Sequence, residues 1–160
     1  IFTAGASLSS WGNQGGNGPL NAFESGNRRP TIVANSEEAF NGFRSLSFDG
    51  NDDVLLINNS ADINTHSGHL SQKSYALVFK TSGDINSRQV IYEEGGTVRG
   101  VNIFIQNGNL YFGAYNLPND GAGAPWPFQS LSIGLQPNTE YIFTGVMDGN
   151  SSETGLMASR

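Results

Sequence analysis

Residues 44–57 run Arg44-Ser-Leu-Ser-Phe-Asp-Gly-Asn-Asp-Asp-Val-Leu-Leu-Ile57. Two short apolar runs, Leu46-Ser47-Phe48 and Val54 to Ile57, flank a polar segment, Asp49-Gly50-Asn51-Asp52. Asp-Gly between apolar runs is a strong hairpin signal, because glycine has no Cβ and reaches positive φ without a clash. The spacing therefore predicts a hairpin in which the two runs are its arms. Leu46 and Phe48 alternate with Ser45 and Ser47, so one face of the first arm is expected to be buried and the other wet.

Composition extends this reading to the whole chain. A length of 160 residues corresponds to one domain, residues 1–160, able to bury a sizeable core. Only 14% of residues are charged, and ten Phe and five Tyr are present, which excludes a disordered composition. Frequent glycine, with 21 residues, set between short β-branched and aromatic runs, points to an all-β domain. The net charge of −6, with eight scattered Lys and Arg, argues against nucleic acid as a partner. No apolar run approaches the roughly 18 residues of a membrane span, so this segment is not expected to insert in a membrane. The absence of cysteine excludes disulfides and thiolate metal sites.

Strand patterns recur along the chain. Residues 1–10 form a weak first candidate, followed by a glycine-rich connection from Trp11 to Pro19. Pro30 to Val33 is strand-like, and Glu37 to Phe40 suits one helical turn capped by Ser36. Ser74 to Thr81 (S-Y-A-L-V-F-K-T) is the clearest core strand. Gln89 to Glu93, Gly100 to Gln106 and Leu110 to Tyr115 follow, with Asn107-Gly108 as a tight turn between the last two. Asn116 to Phe128 reads as a long loop with three prolines, Thr139 to Asp148 as a strong strand, and Thr154 to Ser159 as the start of another. Strands at this spacing predict an antiparallel two-sheet β-sandwich of jelly-roll type.

The pattern S-L-x-F-D-G-x-x-D-x-L-x-I of Ser45 to Ile57, with I-Q-N-G-N-L-Y-F-G of Ile105 to Gly113, resembles the laminin G-like branch of the concanavalin A-like lectin/glucanase superfamily, in its bacterial, extracellular form. The resemblance implies a jelly-roll sandwich whose final strands lie beyond Arg160, in a longer chain with other domains. It implies a secreted or cell-surface protein that binds carbohydrate or a surface partner in adhesion, with calcium as the candidate ion. Asn13 stands where related domains often carry an acid, which weakens a cation role for that loop.

Catalytic chemistry is not legible. Glucanases of this fold carry E-x-D-x-x-E on one strand, and no such motif occurs. Glu37-Glu38 and Glu93-Glu94 are adjacent pairs that a strand would point to opposite faces. Tyr111 to Asn116 only faintly resembles the Y-F-K-A-G-x-Y-N strand of alginate lyases, and the lysine is absent. The expectation is therefore no enzyme. Asp62, His66 and His69 lie in a Gly/Ser-rich connection without the helical register of zinc hydrolases, and read as a solvated loop. Asp49, Asn51, Asp52 and Asp53 offer oxygen ligands suited to calcium within five residues; the other reading is a plain turn with solvated acids. For carbohydrate, Tyr115, Asn116, Asn119, Asp120 and Trp126 combine aromatic faces with amide and carboxylate groups on the long loop and its approach. The competing reading makes Trp126 and Phe128 a plug that packs the loop onto the sheet. Three functions remain open: a binding module, a structural or protein-interaction domain of a surface assembly, and a carbohydrate-active enzyme using acids outside known motifs.

Overall fold

The computed structural model describes residues 3–15, 20–33, 43–61, 63, 72–116, 126–148 and 155–159, of which 126, 127 and 155–159 are described through their backbone. All regular structure among them is strand, in four antiparallel sheets. The expected helical turn at Glu37 to Phe40 lies outside the described residues. The chain divides into two compact units, Ile1–Asn59 and Ser60–Arg160.

The first unit has short strands: β1 (Ser10–Trp11), β2 (Ala22–Phe23), β3 (Thr31–Val33), β4 (Ser45–Ser47) and β5 (Leu56–Ile57). The hairpin expected across residues 44–57 does not form. β4 pairs with β3, placing Leu46 opposite Ile32, whereas β5 pairs with β2 in a separate sheet of order β1-β2-β5. Turn chemistry accounts for the difference. Gly50 does take positive φ, +73°, but the Asp49 carboxylate accepts hydrogen bonds from the backbone N–H groups of Asn51, Asp52 and Asp53. The Asp53 carboxylate in turn accepts the N–H of Asp49. The turn satisfies its own backbone groups locally, so it constrains itself without registering its two arms against each other. Leu46 is half-buried and Phe48 is half-exposed, so the expected burial holds for the first and not for the second.

The second unit contains β6 (Gln72–Lys80), β7 (Gln89–Gly95), β8 (Arg99–Gln106), β9 (Asn109–Asn116), β10 (Trp126–Gly134), β11 (Glu140–Asp148) and β12 (Gly155–Ser159). β7 to β10 run as an antiparallel meander, and β11 lies between β6 and β12. Strict alternation drives this arrangement. Val101, Ile103 and Ile105 of β8, with Leu110, Phe112 and Ala114 of β9, share one buried cluster with Phe143 and Met147 of β11. Tyr75, Leu77 and Phe79 of β6 pack against it, and Phe112 meets both Tyr75 and Phe143 edge-on at 5.7 Å. Two sheets therefore share one core, as in a β-sandwich.

The tight turn expected at Asn107-Gly108 is present, with φ of 51° and 74°. Two successive positive φ values are what a two-residue turn matching strand twist demands. β10 was not expected: its first residues fall in the stretch read as loop, where Pro125 and Pro127 hide a strand that continues as Gln-Ser-Leu-Ser-Ile. The proline is accommodated at a β-bulge, where the register against β9 shifts between Trp126 and Gln129.

Candidate functional site

Among the described residues, the outer face of the four-stranded sheet groups the half-buried rings of Phe104, Tyr111 and Tyr115, the exposed ring of Phe128 and several polar side chains. Alternation fixes its membership, since every residue between two core residues faces away. One cross-strand row is Val90, Phe104, Tyr111 and Ser132; the next is Glu93, Asn102, Gly113 and Ser130. Phe104 and Tyr111 stack at 4.9 Å with ring planes 11° apart, and the Arg88 guanidinium lies 4.7 Å from the Phe104 ring centre. Beyond them stand Tyr115 and Phe128, whose ring centres are 6.5 Å apart. The Tyr115 hydroxyl donates to the Gly96 carbonyl in the β7–β8 turn, which fixes that ring at the edge of the face. The result is a strip of three aromatic rings, Phe104, Tyr111 and Tyr115, flanked by a carboxylate, an amide and serine hydroxyls, with the Phe128 ring lying over its Gly113 segment. Such a strip stacks on an apolar ring face and offers hydrogen bonds to groups around its rim.

The structure separates the residues expected to bind carbohydrate. Tyr115 belongs to the outer face, but its neighbour Asn116 is 1% exposed and faces the core side of β9. Adjacent residues of one strand cannot serve the same surface, which is why spacing in sequence misled here. Trp126 is placed by its backbone opposite Asn116. Asn119 and Asp120, like Asp62, His66 and His69, lie outside the described residues. Phe104 and Asn102 were not singled out from the sequence, and Glu93 was weighed only as half of an adjacent acid pair; the alternation of Gly100 to Gln106 contained the signal.

A second polar group lies inside the sandwich. The Glu94 carboxylate accepts hydrogen bonds from Lys73 Nζ at 2.5 Å, Tyr75 Oη at 2.8 Å and Tyr92 Oη at 2.6 Å. Lys73 also donates to the Ile63 carbonyl. Burial, reinforced by the Glu94 charge, pushes both tyrosine hydroxyls well above their ordinary pKa, so they remain donors at all ordinary pH. These groups satisfy one another and tie β6 to β7 across the core. Glu93, on the opposite face of β7, is exposed. The two adjacent acids therefore point apart, as expected for a strand, and cannot flank one scissile bond.

The acidic turn of the first unit brings carboxylate oxygens of Asp49, Asp52 and Asp53 within 4.8 Å of one another. Ligands on opposite sides of a calcium ion at about 2.4 Å are separated by about that distance, so the spread suits a cation. Asn51 contributes its backbone N–H to Asp49. Those backbone donors, Asn51 foremost, hold the Asp49 carboxyl below its usual pKa, so it is charged and available at neutral pH.

No family model matches the chain, and neither a curated protein nor a solved structure shows a significant match.

Proposed function

We propose that this chain is a non-catalytic binding module of a secreted or cell-surface protein, recognising carbohydrate on the outer face of its four-stranded sheet. The observation that carries this reading is the stacked Phe104–Tyr111 pair, continued by Tyr115 and bordered by Glu93, Asn102, Ser130 and Ser132. Sugars present apolar C–H faces ringed by hydroxyls, and this strip offers both complements at once. A concanavalin A-like, laminin G-like jelly roll of bacterial surface type is the architecture we assign on the sequence patterns and the all-β sandwich. The separation of Glu93 from Glu94, and the enclosure of Glu94 by its three donors, support a non-catalytic role.

Calcium enters the proposal at Asp49, Asp52 and Asp53, whose oxygens fit its size and hardness. There it would stiffen the turn joining β4 to β5 by bridging three carboxylates and offsetting most of their mutual repulsion. A glycan array tests the binding face, and calcium-induced protection of the Asn51, Asp52 and Asp53 amides from hydrogen exchange, absent in Asp52→Asn, tests the ion site. Binding that falls about tenfold in Tyr111→Ala, the scale of one lost aromatic contact, supports the site. Silence of the folded protein across the array would contradict it. One observation favours a protein-interaction domain instead: Val78 and Ile142, paired across β6 and β11, are 62% and 67% exposed. Array silence together with loss of partner binding in Val78→Ser would establish that reading.

A further inference from the structure

Resting on the carbohydrate reading, we infer that Phe128 is a gate over a recess at Gly113, and that the Asn102 amide, with its buried Oδ1, is the group a sugar hydroxyl reaches when the gate opens. The recess exists because residue 113 has no side chain. A Cβ there would lie 2.6 Å from Phe128 Cζ and 2.9 Å from Asn102 Oδ1, so the phenyl ring occupies the space directly above the glycine. The β-bulge between Trp126 and Gln129 sets Phe128 beside Tyr115 and lets its ring lean diagonally over Gly113.

An aromatic ring covering a strand glycine is a known stabilising arrangement, and two observations set this one apart. First, the ring is 51% exposed, so it gains only part of the burial that a closed core position provides. Second, Asn102 Oδ1 is buried beside the ring with no hydrogen-bond partner. A buried polar atom left unpaired opposes burial with a free energy of the same order as the gain from covering half a phenyl ring. The closed arrangement is thus finely balanced. Opening exposes a slot one residue wide, floored by Gly113, with the Asn102 amide on one side, Ser130 on the other, and the rings of Tyr111 and Tyr115 at its ends. A carboxamide both donates to and accepts from a hydroxyl, so the slot suits one hydroxyl-bearing edge of a sugar unit.

Two measurements test the gate. In sugar-free protein, the χ1 scalar couplings of Phe128 are expected to be averages over two rotamers, one with the ring over Gly113 and one with it turned away. Couplings of a single rotamer with the ring over Gly113 would overturn the gate. The same glycan array is then probed with wild type, Phe128→Ala and Gly113→Ala. If the open state is about one molecule in ten, Phe128→Ala binds about tenfold more tightly, because the fraction competent to bind no longer limits affinity. Gly113→Ala, whose methyl group fills the floor as it expels the ring, gains nothing. Binding that appears in Phe128→Ala where wild type is silent also supports the gate. Wild-type binding that Phe128→Ala leaves unchanged or weakens overturns the gate while leaving the carbohydrate reading intact. Silence of wild type and Phe128→Ala alike overturns both.

Discussion

The unit before Ser60 and the unit after it draw on the same kinds of residue and are held together differently. Strands of the first are two or three residues long; those of the second reach nine. A two-residue strand cannot alternate, so it cannot sort apolar side chains to one face. Trp11, Phe23, Phe43, Phe48, Leu56 and Ile57 accordingly remain exposed, while among the described residues of this unit the buried apolar ones are Leu8, Pro30 and Ile32. Its order comes instead from side chains that cap turns: Asp49 on three backbone N–H groups, Glu24 on Gly26, Asn13 on Gly15. In the second unit β8 and β9 alternate through eight residues each, and one face becomes core while side chains of the other stay partly exposed. Long alternation thus creates the stability and the candidate site together.

The contrast predicts a graded series of effects. Phe112→Ala removes a ring 1% exposed that touches Tyr75 and Phe143, and is expected to destabilise the second unit by about 4 kcal/mol in chemical denaturation. A loss near that of an exposed residue would mean that the two sheets do not share this core. Glu94→Gln withdraws the charge on which Lys73 and two tyrosines converge; leaving Lys73 largely buried beside a neutral amide is expected to cost about 3 kcal/mol. An unchanged midpoint would show that the network contributes nothing. The smallest effect belongs to the first unit. Because its folded pKa is depressed, Asp49 contributes stability above the ordinary aspartate pKa of 3.8 and loses it as pH falls through the lower folded value. Hydrogen exchange at Asn51, Asp52 and Asp53 should therefore exceed the intrinsic rate change expected on acidification, with β8 and β9 unaffected. Loss of protection in β8 at the same pH would contradict the division between turn-held and core-held order.

The same contrast explains what could be read in advance. β6, β8, β9 and β11 were legible because their alternation is a property of the strand itself, and so was the Asn107-Gly108 turn, because two positive φ values need those residue types. The pairing of Ser45–Ser47 was not legible. Its partner, Thr31–Val33, is set by contacts distant in sequence, and the Asp-Gly signal describes a turn without naming what the arms pair with. β10 was obscured because prolines argue against strands except at bulges, and a bulge is a property of two strands. For the site, the aromatic and amide side chains near Tyr115 were grouped as neighbours in sequence. The sheet groups neighbours across strands: Tyr115 stands with Phe128, Gly113 and Asn102, while Asn116 turns inward.

The most direct test is an NMR titration of isotope-labelled protein with the strongest glycan from the array, following backbone amides. The account predicts shifts concentrated at Asn102, Phe104, Tyr111 and Tyr115, on alternate residues of β8 and β9. Shifts centred on Val78 and Ile142, or confined to the unit before Ser60, with the outer face of the four-stranded sheet unmoved, would contradict it.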